Sequence, residues 1–184
     1  MNAILRTVLI VVMFPACAAL APAGDFKPEP GFTLLFNGKN LDGWKTKSGG
    51  ESLEGKTEAY KGRFKVMDGK LVIDPKVKGD VVIETAKELK GDLHIKFEFM
   101  PGPGCNNDLF LRGLKFDIIP KSLKGVKEGE WNEFDIIAKG ATVEYKCNGV
   151  LQRTSKAKTA SSAFGIRAEF GPIQIRHIWA KETP

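Results

Sequence analysis

Short runs in which apolar and polar residues alternate one by one constrain this chain more than any other feature. Leu93-His94-Ile95-Lys96-Phe97-Glu98-Phe99 is the cleanest of them. Period two turns every second side chain to the same side, so Leu93, Ile95, Phe97 and Phe99 share a core-facing surface. Phe64–Ile73 holds two such runs around Asp68-Gly69, and Asn148-Gly149 separates Ala141–Cys147 from Val150–Arg153. Both are hairpin signals, because glycine readily takes the positive φ of a tight turn. Further strands are expected at Phe32–Phe36, Asp80–Glu84 and Trp131–Ala138, and Phe164–Phe170 with Ile173–Lys181 reads as a strand pair across Gly171-Pro172. Thr85-Ala86-Lys87-Glu88 has the form of a capping box and predicts one helical turn closing at Gly91. Lys45–Gly62 is polar and glycine-rich, a long surface loop. Many short strands and no long helical period predict an all-β fold: a jelly-roll β-sandwich of two antiparallel sheets.

Residues 1–23 read as a signal peptide, with Arg6 as the basic start, Val8–Phe14 as a short apolar stretch and Ala21-Pro22-Ala23 as the cleavage site. The apolar stretch is too short for a membrane span, and no later segment looks transmembrane. Cys17 after Ala16 offers a second route, a lipid anchor, although Phe14-Pro15 fits a lipobox poorly. Residues 24–31 form a Pro-rich leader, and residues 32–184 form the sandwich domain, long enough to bury a sizeable core. The expected location is secreted, or periplasmic and cell-envelope.

Basic residues outnumber acidic ones by 28 to 22. The excess is scattered in mixed-sign pairs such as Lys87-Glu88 and Lys127-Glu128, without the clustered charge and interleaved aromatics of a nucleic-acid interface. Cys105 and Cys147 are free to pair in an oxidising compartment, and sequence does not say whether they meet. The two cysteines and the two histidines, His94 and His177, have no zinc-ligand spacing. No Asp-rich loop asks for calcium, and no motif names a cofactor. His94 falls on a polar strand face as a solvated residue, and His177 falls with the apolar Ile173/Ile175/Trp179 face.

Chemistry is concentrated in Asn106–Pro120. In Leu114–Ile118 the alternation sets Lys115 and Asp117 on one face, opposite the apolar residues. Phe164–Phe170 repeats the pattern with Arg167 and Glu169. If the two strands belong to one sheet, both pairs line one surface. Arginine donors, carboxylate acceptors and a nearby tryptophan together suit a polyhydroxyl ligand. Alternating charges are equally what any one-sided sheet shows to water. Arg112 follows the apolar Leu109-Phe110-Leu111, so it is either buried and paired or at a strand end beside a site. A two-carboxylate glycosidase could draw on Asp108, Asp117, Glu133, Asp135, Glu144 or Glu169, and spacing does not choose among them. Neither GxSxG, a P-loop, GxGxxG nor HExxH occurs.

The chain resembles the 3-keto-disaccharide hydrolase family, a concanavalin A-like sandwich. Gly31–Trp44 is similar to its opening "GF..LFNGK.L.GW", Phe64–Val72 to "F.V.DG.L" and Gly91–Phe99 to "GDF.L..EF". Asn106–Gly113 is similar to "NSG.F.RG", Gly129–Ile136 to "GEWN...I", and Gly171–Ile178 to the closing "GGPV.FRNI". The resemblance implies an exported hydrolase cleaving glycosides oxidised at C3, through a base that takes the acidified C2 proton and donors that hold the enolate oxygen. Asn106 and Arg112 match the family's polar motif positions, and together with the alternating pairs this gives Asn106, Arg112, Lys115 and Arg167 as candidate substrate-binding residues and Asp117 and Glu169 as candidates for the catalytic base. Lys115 and Asp117 stand where the family has Glu and Gln, and Arg167 and Glu169 align with its Gln and His. The alternatives on the same fold are a non-catalytic carbohydrate-binding module and a structural cell-surface domain.

Overall fold

The computed structural model describes residues 28–183, so the signal peptide and Cys17 lie outside the described residues. Its strands, numbered in chain order, pair antiparallel into two sheets. The larger runs β12 (Val150–Lys156), β11 (Thr142–Cys147), β10 (Asn132–Lys139), β7 (Asp92–Pro101), β14 (Ile173–Thr183), β5 (Lys70–Ile73), β4 (Phe64–Met67) and β3 (Glu58–Ala59). The short β1 (Thr33–Leu34) also pairs with β14. The smaller sheet runs β2 (Trp44–Thr46), β6 (Val81–Thr85), β13 (Gly165–Phe170), β8 (Asn106–Leu111) and β9 (Leu114–Ile118). This is the expected all-β jelly-roll sandwich.

Alternation explains why the two layers stack. On β7, Leu93, Ile95, Phe97 and Phe99 are buried while the residues between them are not. Aromatic rings then link the sheets. Phe116 on β9 lies 5.2 Å from Phe134 of β10 and 4.5 Å from Tyr145 of β11. Phe97 stacks on Phe134 at 5.0 Å. Each such fully buried side chain contributes roughly 2 kcal/mol through removal of its apolar surface from water.

Several expectations are corrected. Phe164–Phe170 and Ile173–Lys181 do not pair with each other; β13 lies in the smaller sheet and β14 in the larger. Gly171 between them takes φ +68°, and a Cβ there would lie 2.5 Å from the carbonyl carbon of Gly104. The chain therefore crosses between layers against the loop that precedes β8. Thr85–Glu88 makes no helical turn. Thr85 ends β6, its hydroxyl donates to the Lys87 carbonyl and accepts from the Phe164 N–H, and Leu89 bridges to Ser162. Lys45–Gly62 is not simply a surface loop: it begins in β2, ends beside β3, and sends Leu53 into the core.

The alternation of β14 breaks at His177, whose φ is +59°. Register jumps there from Arg176↔Glu98 to Trp179↔Lys96, a bulge that moves the downstream side chains to the opposite phase. Ile178 enters the core, while His177 stacks on Trp179 with ring centroids 5.8 Å apart. His177 thus leaves the apolar face where alternation had put it. His94 is not merely solvated either, since its Nε2 lies 2.7 Å from Asp135 Oδ1. Cys105 and Cys147 are both buried and unbridged. Burial pushes their thiols up, to about 11 and about 12 respectively.

Candidate functional site

Charges gather on the outer face of the smaller sheet because three of its adjacent strands carry them in register. Arg167 on β13 is the partner of Asp108 on β8, and Asp108 is the partner of Asp117 on β9. Arg167 Nη1 donates to Asp108 Oδ2 at 2.7 Å, and its Nε donates to Asp80 Oδ1 at 2.5 Å. Lys115 Nζ donates to Asp117 Oδ1 at 2.5 Å and lies 3.6 Å from Asp108 Oδ2. Glu169 Oε1 joins at 3.3 Å from Arg167 Nη2. Asp80, Asp108, Asp117 and Glu169 thus share Arg167 and Lys115, which leaves the cluster acidic.

These contacts set the proton affinities. The hydrogen bond from Lys115 holds the Asp117 carboxyl below its ordinary range, and Asp117 raises Lys115 in turn. Asp80 is lowered by its hydrogen bond from Arg167. A carboxylate held low is a weak base near neutral pH.

Asp108 is fully buried, and its second oxygen, Oδ1, has no donor among the protein's groups. Two residues earlier on the same strand, hence on the same face, buried Asn106 Oδ1 also has no donor. Buried acceptors are rarely left unsatisfied. Two acceptors on this charged face are thus left without a donor from the protein.

The backbone beside them is shaped by a bulge. Between Arg167 and Phe170, two residues of β13 oppose the single Asn107 of β8. The buried Asn107 side chain bridges the irregularity, accepting from Glu169 N–H at 2.9 Å and donating to the Phe170 carbonyl at 3.0 Å. Buried Arg63 donates to the Glu169 carbonyl at 2.8 Å. Glu169 is therefore fixed by its backbone while its carboxylate reaches the charged face. In the next row Gly165 presents no side chain between Glu84 and Phe110. Lys47 Nζ sits 4.9 Å from the Phe110 ring centre.

Asn106, Lys115, Asp117, Arg167 and Glu169 are thus brought together; Arg112 is not. It sits at the β8–β9 turn with φ +51°, followed by Gly113 at +72°, the two left-handed residues of a tight hairpin. Its buried guanidinium donates to the carbonyls of Gly91 and Gly140 at one end of the sandwich. The tryptophan expected beside the charges is absent. Trp44 is in the core, and Trp131 is stacked with Arg176, whose Glu98 partner belongs to β7 of the larger sheet. Phe110 and the 61 % exposed Phe170, the register partner of Asn106, supply the aromatic surface instead. Asp108, one of the candidate carboxylates in the sequence, shares its face with Asn106 and Phe110 by alternation. Asp80, Asn107 and Arg63 carry no local signal, because their roles depend on strands distant in sequence.

Residues 31–121 match the family model described as a 3-keto-alpha-glucoside-1,2-lyase-like domain. Over these residues the chain is similar to that family. This makes it a carbohydrate-related domain of a glycosyl hydrolase-like family. The matched span includes Asp80, Asn106, Asp108, Lys115 and Asp117 and stops before β13. No curated protein matches. Among solved structures the chain is similar to two Parabacteroides distasonis proteins provisionally assigned as glycosyl hydrolases. One is 19 % identical with a TM-score of 0.65, covering 84 % of this chain and 94 % of that one. The other is 15 % identical with a TM-score of 0.62, covering 83 % and 99 %. A Bacillus subtilis protein of unknown function with a galectin-like fold is 10 % identical over 62 % of this chain and 83 % of that one, with a TM-score of 0.52. At these identities the shared property is the fold.

Proposed function

We propose that the outer face of the smaller sheet binds a carbohydrate, in an extracellular or periplasmic domain. The observation that carries this reading is the pair of buried acceptors without donors, Asn106 Oδ1 and Asp108 Oδ1. Sugar hydroxyls would donate to both, while Lys115 and Arg167 would donate to ring or hydroxyl oxygens. Phe110 and Phe170 would pack against the C–H surface of the ring.

A second reading, cleavage of a 3-keto-glycoside, is favoured by the family match and by Glu169. The Asp117 carboxylate is held by Lys115 at 2.5 Å, whereas the Glu169 carboxylate meets Arg167 at 3.3 Å. Glu169 would take the C2 proton. The C2–H electrons would form the enolate of the C3 ketone, which would expel the C1 oxygen substituent as Glu169 returned its proton to that oxygen. Water would then add to the resulting enone, and a cation such as Arg167 would stabilise the enolate oxygen.

Titration with glycosides, read by calorimetry, is expected to show binding that Arg167→Met abolishes. Incubation with a 3-keto-glycoside separates the two readings. Turnover lost in Glu169→Gln and retained in Asp117→Asn establishes the enzyme, whereas binding without turnover leaves a binding module. If neither occurs, the charged face is structural.

A further inference from the structure

At one end of the sandwich three connections converge on a cleft of about 540 Å³. Gly91 and Asp92 open β7, Gly140 and Ala141 turn between β10 and β11, and residues 157–160 follow β12; Arg112 closes the floor. Arg112 is only 2 % exposed. Among the described residues no carboxylate lies in ion-pair contact with it, and its bonds run to the Gly91 and Gly140 carbonyls, the latter at 3.4 Å. Its Nε–H is buried without an acceptor. A guanidinium has five N–H donors and a charge that is costly to bury uncompensated, so this group is short of both acceptors and negative charge.

The surroundings hold it in place rather than neutralise it. The Arg112 backbone N–H donates to Ser162 Oγ at 2.6 Å, and its carbonyl accepts from Lys158 N–H at 3.0 Å. Lys158 itself is an exposed cation on the rim. The acidic group present is Asp92, whose Oδ1 accepts from Gly140 N–H at 2.8 Å and whose other oxygen remains available.

We propose that this cleft is a binding site, separate from the charged face, for an acidic sugar unit. The oxyanion would sit against Arg112 and Lys158, and a ring hydroxyl would donate to Asp92. Arginine is suited to the anion because its planar fork matches an oxyanion with two parallel donors. The cleft volume falls within the range of small-molecule sites. The site stands independently of the carbohydrate reading of the charged face, which lies on the broad side of the smaller sheet.

The test is an NMR titration of the isotopically labelled protein with sodium glucuronate, glucose 6-sulfate and glucose in turn. Glucuronate or the sulfate is expected to shift the Arg112 Nε–H signal and the amides of Gly91, Gly140 and Lys158; glucose is not. A response to both anions assigns the site to oxyanions in general, and a response to glucuronate alone assigns it to carboxylates. Exposed Ala141→Phe, which fills the cleft, and Lys158→Glu should each weaken the response by about tenfold. Neither touches the core, so both remain informative if Arg112→Lys fails to fold. Arg167→Met should leave it unchanged. Equal shifts with glucose, or no shift with either anion, would overturn the proposal and leave Arg112 as a lock on the strand ends.

Discussion

The outer faces of the two sheets look alike in sequence and differ in what they leave undone. Both carry alternating charges, and both are broken by a bulge, at Ala168-Glu169 on β13 and at His177 on β14. On the larger sheet the charged groups close on one another, and what is left unfilled on that face is a donor, the buried Trp179 Nε1. Arg176 Nε donates to Glu98 at 2.5 Å and its guanidinium lies 4.0 Å from the Trp131 ring centre, while His94 meets Asp135. On the smaller sheet the cations are shared among more carboxylates than they can satisfy, and two buried acceptors remain without donors. Charge on a strand face therefore says little by itself. What separates a site from a wet surface is polar capacity held in place and left unused.

The sharpest way to break this contrast is to remove its buried centre. Asp108→Ala removes the buried carboxylate shared by Arg167 and Lys115, which keep Asp80, Glu169 and Asp117 as partners, and should cost about 3 kcal/mol in urea denaturation, the upper scale for hydrogen bonds to a charged group. Arg176→Ala on the opposite face, where both partners are about a third exposed, should cost under about 1 kcal/mol. Equal losses would mean that the two faces are equivalent. Next comes the bulge. Asn107→Ala removes two backbone bonds made by a buried amide and should destabilise the fold by about 2 kcal/mol. Asn107→Asp should restore only the bond from Glu169 N–H, because a carboxylate cannot donate to the Phe170 carbonyl.

The sequence made the layering legible, and it made one part of the site legible. Leu93–Phe99 announces its own buried face, and Lys115/Asp117 and Arg167/Glu169 do share a sheet. Alternation stops informing at each bulge, because one extra residue reverses the face of everything downstream, as with His177 and Trp179. It also cannot tell a turn from a crossing. Gly171-Pro172 has the composition of a hairpin, yet what decides its path is the backbone of Gly104, far away in sequence. Asp80 and Arg63 were hidden for the same reason, since their partners lie on β13.

A smaller effect concerns acid. Asp80 and Asp117 have folded values lowered from 3.8, so their stabilisation is complete above that value and is lost as pH falls through the lowered ones. Their part of the urea midpoint should stay flat from neutral pH to about pH 5 and fall only below about pH 4, apart from a separate loss that begins near 6.5 because burial lowers His177. In Arg167→Met the part of that fall belonging to Asp80 should disappear. A fall already complete at pH 5 would contradict the pairing. The smallest effect involves the two thiols, which the sandwich treats alike. Cys105 precedes β8 and Cys147 ends β11, and both are held protonated by burial. Iodoacetamide at pH 8 should label neither until the protein unfolds, and labelling of one alone would show that its sheet opens first.

One contact at the rim bears on how the molecule meets copies of itself. β9 is the last strand of the smaller sheet and pairs only with β8. Arg153 on β12 donates from Nη2 to the Lys115 carbonyl on β9, and its guanidinium lies 4.8 Å from the Phe116 ring centre. That side chain occupies an edge carbonyl a visiting strand would need, and the charge it brings opposes edge-to-edge docking. Arg153 thereby acts as a stopper on sheet growth from chain to chain at the β9 edge.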